Sequence, residues 1–193
     1  MTRGFSVYLD AIRFLASLVV LFSHIGYARY SNGDLNWVRD LNLGSDAVIL
    51  FFVLSGFVIA YSALANNHTA ESYTKARVAR LYSVVIPALL ITVLFDFAGR
   101  TINPEAYAGW WYNGEGFLNQ ITSALTFTSQ AGGSTTRIGT NGPFWSVAYE
   151  AWYYAAFGAA VFLKGWWRAL ALFWIFAAAG VSIALLAPCW LAG

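Results

Sequence analysis

The sequence predicts an all-α fold, a polytopic transmembrane helical bundle of about five spans. The chain has 193 residues, of which 59% are hydrophobic and 10% are charged, whereas a typical soluble domain carries about 25% charged residues. A helix that spans a bilayer needs about 20 mostly apolar residues, and the chain contains several such runs. The predicted spans are residues 8–27, 44–65, 81–99, 143–163 and 166–187. We therefore expect an integral membrane protein whose first partner is the lipid bilayer.

The overall charge and the cysteine content exclude several other classes of protein. The net charge is only +2, so the basic surface that nucleic-acid binding needs is lacking and no nucleic-acid partner is expected. High hydrophobicity excludes a disordered chain. The single cysteine, Cys189, cannot form an internal disulfide, and no spacing of ligand residues suggests a metal site. We predict one integral-membrane domain over residues 1–193.

Several predicted spans contain residues that indicate how the helix begins or packs. Asp10 and Arg13 interrupt the first run, and no cleavage site follows it, so we predict a retained helix rather than a signal peptide. The second run contains the small residues Ser55 and Gly56, which allow close helix packing. The fourth opens at Pro143, a residue typical of the first turn of a helix.

The connection between the third and fourth predicted spans is the least regular part of the chain. Apolar residues recur at helical spacing from Phe117 to Thr128, which predicts a short helix lying at the membrane interface or packed over the bundle. Residues 131–143 are rich in turn formers and predict a loop. The aromatic run at residues 110–112 indicates either an interfacial belt or a platform on which a sugar ring stacks.

The distribution of Lys and Arg predicts a cytoplasmic N-terminus. In that orientation six basic residues lie on the inner side and four on the outer side, which agrees with the positive-inside rule. The inner residues are Arg3, Lys75, Arg77, Arg80, Lys164 and Arg168, and the outer residues are Arg29, Arg39, Arg100 and Arg137.

The first predicted span carries a polar face. Asp10, Arg13, Ser17 and His24 fall near one line of an α-helix, which is about 20 Å long at about 1.5 Å per residue. An ionisable side chain at the bilayer centre costs at least ~2.5–3.5 kcal/mol, so such residues usually face a bundle interior or a water-filled cavity. Asp10 and Arg13 can form an ion pair. The face either hydrogen-bonds neighbouring helices or transfers protons, and for His24 we favour proton transfer.

Further charged residues lie in or beside the other predicted spans. Asp46 is near the start of the second span. Glu150 lies about two turns into the fourth, at a depth comparable to that of His24, so an acid–base pair is geometrically feasible. Arg77 and Arg80 share a helix face before the third span. They either mark the inner surface or grip phosphates with their forked donors.

Four segments of the chain resemble the motifs of a known family. Residues 9–24 contain an arginine, ten residues and a histidine, and residues 44–57 follow as a glycine-to-phenylalanine segment. Residues 77–82 begin with an arginine, two residues and an arginine, and residues 145–154 run from Trp-Ser through a glutamate. In this order they are similar to membrane-bound acyltransferase family 3, which includes O-acetylases of bacterial surface polysaccharides. Ala11 stands where that family usually has a glycine.

This resemblance implies transfer of an acyl group, usually acetyl, across the bacterial inner membrane. The donor is acyl-CoA on the cytoplasmic side, and the acceptor is a sugar hydroxyl on the outer side. The resemblance also implies that His24 is the essential base, with Glu150 as its orienting or proton-holding partner and Arg13 between the base and the inner surface. Arg77 and Arg80 would bind the phosphates of CoA. Acetyl-CoA is then a donor substrate, and no permanently bound cofactor or metal is expected. An acyl-histidine intermediate is a second route.

Two alternatives to this enzyme stay open. The resemblance covers nearly the whole chain but only about the first half of the family's length, so we expect a truncated form. A non-catalytic half that works with a membrane partner or as a homo-oligomer is therefore one alternative. The other is a proton or solute transporter in which Asp10, Arg13, His24 and Glu150 line the path. Asp10 and Asp46 are otherwise expected to be secondary polar residues.

Overall fold

The chain is an all-α protein in the part that the computed structural model describes, which is residues 2–65, 69–114 and 116–193. Within these ranges there is no β-strand, only an isolated antiparallel bridge between Ile138 and Asn141. The α-helices of the described residues are α1 (Arg3–Ile25), α2 (Ala28–Ser31), α3 (Asn36–Asp40), α4 (Leu43–Ala65), α5 (Ala70–Ile102), α6 (Phe117–Leu125), α7 (Trp145–Phe162), α8 (Gly165–Ala179) and α9 (Val181–Leu191). The predicted fold class is confirmed.

Within the described ranges, three helices are long and apolar enough to cross a membrane, and they correspond to the first three predicted spans. They are α1, residues Leu43–Ala63 of α4, and α5. Helix α5 has 33 residues and begins at Ala70, well before the predicted start at residue 81. The early start has a local cause, because the side chains of Thr69 and Ser72 cap each other's backbone N–H groups. This capping box satisfies donors that a helix start leaves unpaired.

The fourth predicted span is one continuous helix in the structure, whereas the fifth is divided into two helices. Helix α7 has 18 residues and matches the fourth span closely. The fifth predicted span, residues 166–187, is divided between α8 and α9 by Gly180. Gly180 has a φ of +87°, a backbone conformation that glycine adopts without the steric penalty of a side chain. Apolar composition continues across the break, so hydropathy alone predicts one helix where there are two.

The chain divides into two compact units. The first comprises residues 1–65 and 188–193, and the second comprises residues 66–187. In the first unit α1 packs against α4, and Gly56 contacts the backbone of Trp190 so closely that a Cβ would lie 1.9 Å from the Trp190 oxygen. The expected close packing at Gly56 is therefore confirmed. The single membrane domain expected over residues 1–193 stays a prediction.

In the second unit, α5, α6 and α7 share a core. Its buried members are Val85 and Leu89 of α5, Ala124 of α6, and Ile138 and Phe144 of the connection that leads to α7. Ala124 is fully buried, so the predicted short helix is packed against other elements of this unit. The burial of these apolar side chains is the main stabilising contribution at this contact.

The predicted loop at residues 131–143 is fastened to α5 by Asp96. The two carboxylate oxygens of Asp96 accept hydrogen bonds from Thr140, one from the backbone N at 3.0 Å and one from Oγ1 at 2.6 Å. Beside this contact, Gln120 Oε1 accepts a hydrogen bond from the backbone N of Gly139 at 2.8 Å. The chain therefore enters α7 from a loop whose polar groups are satisfied by α5 and α6.

Candidate active site

His24 lies in the last turn of α1, half-buried and stacked on a tyrosine just beyond the helix. The ring centroids of His24 and Tyr27 are 5.9 Å apart, and the planes meet at 23°. The guanidinium carbon of Arg39 lies 3.5 Å from the Tyr27 centroid, and Arg39 Nη1 donates to the backbone oxygen of Ser23 at 3.4 Å. The imidazole therefore has an aromatic neighbour and a cation next to that neighbour.

Two glycines allow the chain to close around this end of α1. A Cβ on Gly26 would lie 3.0 Å from the Leu35 oxygen and 3.2 Å from Arg39 Cγ. A Cβ on Gly44 would lie 2.4 Å from Ser23 Oγ. Because these positions lack side chains, α3 and the start of α4 can approach the turn that holds His24.

The polar face predicted for the first span lies on one continuous helix. Arg13 Nη1 is 3.6 Å from Asp10 Oδ1, so the predicted pair forms. The Asp10 side chain is 69% exposed, and an exposed pair of this kind contributes about 0–1 kcal/mol to stability. Asp46 is exposed in the first turn of α4, two residues after Gly44. It therefore lies near the end of α4 that approaches the His24 turn.

Glu150 lies half-buried on α7 and is held by Tyr154, one turn later. The Tyr154 hydroxyl donates a hydrogen bond to Glu150 Oε1. The buried backbone carbonyl of Tyr154 accepts a hydrogen bond from Tyr73 Oη of α5 at 2.9 Å. This pair of contacts fixes the carboxylate relative to both helices.

Arg77 lies half-buried on α5, near the rings of Tyr73 and Tyr154. Its guanidinium carbon is 5.9 Å from the ring centroid of Tyr73 and 5.7 Å from that of Tyr154. Its Nε is buried and has no hydrogen-bond partner among the described residues. Arg80, three residues later, is exposed. The two predicted phosphate-binding arginines therefore have different surroundings.

The predicted site residues fall into two groups. Asp10, Arg13, His24 and Asp46 belong to the first unit, whereas Arg77, Arg80 and Glu150 belong to the second. Within the second unit Tyr154 connects Arg77 to Glu150. The acid–base pairing of His24 with Glu150 joins residues of different units and stays a prediction.

Sequence patterns alone do not identify Tyr27, Arg39 or Tyr154. For Tyr154 a signal exists, because it follows Glu150 by four residues, the spacing at which helical side chains meet. Arg39 comes from a separate helix, and only the packing permitted by Gly26 brings it to the end of α1. No spacing rule within one helix predicts such a contact.

Several proteins of known classification are similar to this chain. Acyltransferase MdmB of Streptomyces mycarofaciens is 28% identical over 154 residues, which is 77% of this chain and 37% of that protein. An O-acetyl transferase of Shigella phage Sf6 is 28% identical over 158 residues, 79% of this chain and 45% of the relative. Nodulation protein 10 of Rhizobium leguminosarum bv. viciae is 31% identical over 86 residues, which is 44% of this chain and 22% of that protein.

The aligned segments cover less than half of the length of each of these relatives. No solved structure matches the chain. Residues 6–193 match the family described as an acyltransferase domain. Because this match extends over nearly all of the sequence, it confirms the resemblance carried by the four motifs, and the chain belongs to this acyltransferase family.

Proposed function

We propose that the chain transfers an acetyl group from acetyl-CoA, on the cytoplasmic side of a bacterial inner membrane, to a hydroxyl group of a glycan on the other side. The observation that carries this proposal is the family match over residues 6–193. The similarity to a protein named O-acetyl transferase supports the acyl group and the oxygen acceptor. The three long apolar helices support a site that is reached from both faces of a bilayer.

His24 is the general base in this proposal. It takes the proton of the acceptor hydroxyl as the oxygen attacks the thioester carbonyl, an ester C–O bond forms, and the C–S bond to CoA breaks. The proton then passes from the imidazolium to the departing thiolate. Stacking on Tyr27 orients the imidazole. The nearby Arg39 supplies positive charge that stabilises a negative oxygen in the transition state.

Arg77 and Arg80 bind the CoA phosphates in this proposal, because guanidinium groups match phosphate oxygens with two parallel hydrogen bonds. The Nε of Arg77 supports this role, since it is a buried donor that no described residue pairs with and that a phosphate oxygen would satisfy. Arg13 lies between the inner surface and His24. Glu150, oriented by Tyr154, holds the proton or the orientation of the imidazole.

The test is acetyl transfer by the full chain in proteoliposomes that contain labelled acetyl-CoA, with bacterial surface oligosaccharides outside. Replacing a general base lowers the rate by about 10²- to 10⁴-fold, so we expect His24→Ala to lose at least about 100-fold. The matched control is His68→Ala, which removes the other histidine of the chain and should retain wild-type transfer. Equal transfer by His24→Ala and the wild type would reject His24 as the base. Absence of any labelled ester from the wild type would reject the activity.

A further inference from the structure

A cavity of about 550 Å³ lies at the C-terminal end of α5. Small-molecule sites typically measure about 300–1,000 Å³. The last turns of α5 form one wall, and the chain that follows folds back to form the other. Phe97, Tyr107 and Tyr112 provide aromatic lining, and Arg100 and Thr101 provide polar lining.

The cavity is built by specific contacts between α5 and the segment that follows it. A Cβ on Gly99 would lie 2.0 Å from Tyr107 Oη, so only glycine lets this tyrosine lie against the helix. Tyr107 Oη donates to the backbone oxygen of Phe95 at 3.3 Å. The rings of Tyr107 and Tyr112 pack edge to face, with centroids 5.0 Å apart. The Tyr107 and Tyr112 rings are therefore held in place before any ligand binds.

Arg100 gives the cavity a positive charge. Its Nη1 donates to Tyr112 Oη at 3.0 Å, and it forms no ion pair among the described residues. Asp96, one turn earlier on α5, instead accepts two hydrogen bonds from Thr140. Among the described residues that line the cavity there is no carboxylate. The guanidinium therefore keeps donors available for an anion.

The combined lining selects the chemistry of a ligand. Aromatic faces pack against the apolar C–H face of a sugar ring, and the Thr101 hydroxyl suits a sugar hydroxyl. A guanidinium binds a carboxylate or a phosphate with a fork of parallel N–H donors. We propose that this cavity binds an acidic sugar of the acceptor, a pyranose ring that carries or adjoins a carboxylate or phosphate. Its assignment to the acceptor rests on the proposed function.

The position of the cavity agrees with this assignment. Arg77 and Arg80 lie near the first turns of α5, and Arg100 lies at its last turn. Helix α5 is long and apolar enough to cross a membrane, and a helix that crosses places its two ends in opposite aqueous compartments. An acceptor site beside Arg100 is then on the opposite side of the membrane from the arginines proposed to bind CoA.

The test measures binding to the full chain in phosphatidylcholine nanodiscs, without acetyl-CoA. The probes are a glucuronic acid-containing disaccharide, its neutral glucose counterpart, glucose 1-phosphate and inorganic phosphate. We expect at least one acidic sugar to bind about tenfold more tightly than the neutral disaccharide, since a charge-assisted hydrogen bond is about twice as strong as a neutral one. The tighter of the two acidic sugars identifies the anion as carboxylate or phosphate.

Two variants and one control locate the binding. Arg100→Ala removes the cation and Ala108→Trp fills the cavity, which Ala108 also lines. Each should weaken binding of the acidic sugar at least about tenfold. Arg137→Ala is the matched control, because Arg137 lies over the ring of Trp110 but does not line the cavity, and it should change the affinity by less than about twofold.

Several results would overturn the proposal. Equal binding of acidic and neutral sugars, or wild-type binding by Arg100→Ala and Ala108→Trp, would reject the site. Inorganic phosphate binding as tightly as glucose 1-phosphate would assign an anion or lipid headgroup site instead of a sugar site. Binding that follows the expected pattern without acetyl transfer would reject the proposed function alone. Acetyl transfer that both cavity variants leave unchanged would reject this inference alone.

Discussion

The hydroxyl of Tyr154 donates a hydrogen bond to Oε1 of Glu150, one turn earlier on α7. The ring of the same tyrosine lies beside the guanidinium of Arg77, and its carbonyl accepts a hydrogen bond from Tyr73. One buried residue therefore orients a carboxylate on its own helix and supports a cation on another. In the proposed reaction, Tyr154 is a positioning residue for both.

Replacing Tyr154 with Phe should lower kcat for acetyl transfer. The change removes a hydrogen bond to a charged group, which contributes about 1.5–3 kcal/mol, so a fall of roughly 10- to 100-fold is expected. Tyr153→Phe is the matched control, because the Tyr153 hydroxyl is also buried but donates to the backbone oxygen of Ile183. Steady-state kinetics across a pH series should show an altered profile for Tyr154→Phe only. Identical profiles for the two variants would leave Tyr154 with a purely structural role.

Replacing Arg77 should raise the KM for acetyl-CoA more than replacing Arg80 does. Arg77 lies near two tyrosine rings, and its buried Nε has no partner in the part of the chain that the structure describes. Arg80 is exposed and more strongly screened by water. We expect a KM increase of about tenfold for Arg77→Ala, equivalent to about 1.4 kcal/mol. Lys75→Ala is the control, since Lys75 is paired with Glu71 at 2.6 Å on the same helix. An unchanged affinity for acetyl-CoA in the Arg77→Ala, Arg80→Ala double variant would remove both arginines from the donor site.

Adding a methyl group at Gly56 should destabilise the first unit. The new Cβ would lie 1.9 Å from the Trp190 oxygen, and overpacking typically costs about 1–3 kcal/mol. Gly4→Ala is the matched control, because no atom lies within 4 Å of its added Cβ. Thermal unfolding in detergent should therefore show a lower midpoint for Gly56→Ala and an unchanged or slightly higher one for Gly4→Ala. A midpoint for Gly56→Ala equal to that of the wild type would contradict this close contact.

Removing the Thr140 hydroxyl should loosen the loop that precedes α7. Thr140→Val deletes the hydrogen bond from Oγ1 to the buried Asp96 carboxylate, with an expected loss of about 1.5–3 kcal/mol. In the control Thr74→Val, the lost hydrogen bond is exposed and local, to the Ala70 oxygen. A change within about 0.5 kcal/mol is expected there. Chemical denaturation in detergent compares the two, and equal midpoints would show that Asp96 does not anchor the loop.

The long apolar helices could be predicted because the hydrophobicity of a segment does not depend on what packs against it. The start of α5 and the break at Gly180 could not be predicted in the same way. At Thr69 the capping box overrides the polar composition of the first turns, and at Gly180 one backbone angle interrupts an otherwise apolar run. Both features depend on one or two residues, whereas a hydropathy prediction averages over about 20 residues and does not register them.

Some contacts of the candidate site could likewise be predicted from the sequence, and others could not. The Asp10–Arg13 pair could be predicted because both residues lie on one helix with known periodicity. The contacts of Arg77 with Tyr154, and of Arg39 with Tyr27, join separate helices. Helical spacing gives no register between two helices, so these contacts require the packed structure.

The length of α5 also relates the protein to the thickness of its membrane. Arg80 and Arg100 bracket the apolar part of this helix, and twenty residues at about 1.5 Å each correspond to roughly 30 Å, the hydrocarbon thickness of a typical bilayer. Lipids with longer chains would draw one of the two guanidinium groups towards hydrocarbon, whereas shorter chains would require the helix to tilt. The acyl-chain length of the surrounding lipids therefore sets how deeply the two ends of α5 are immersed.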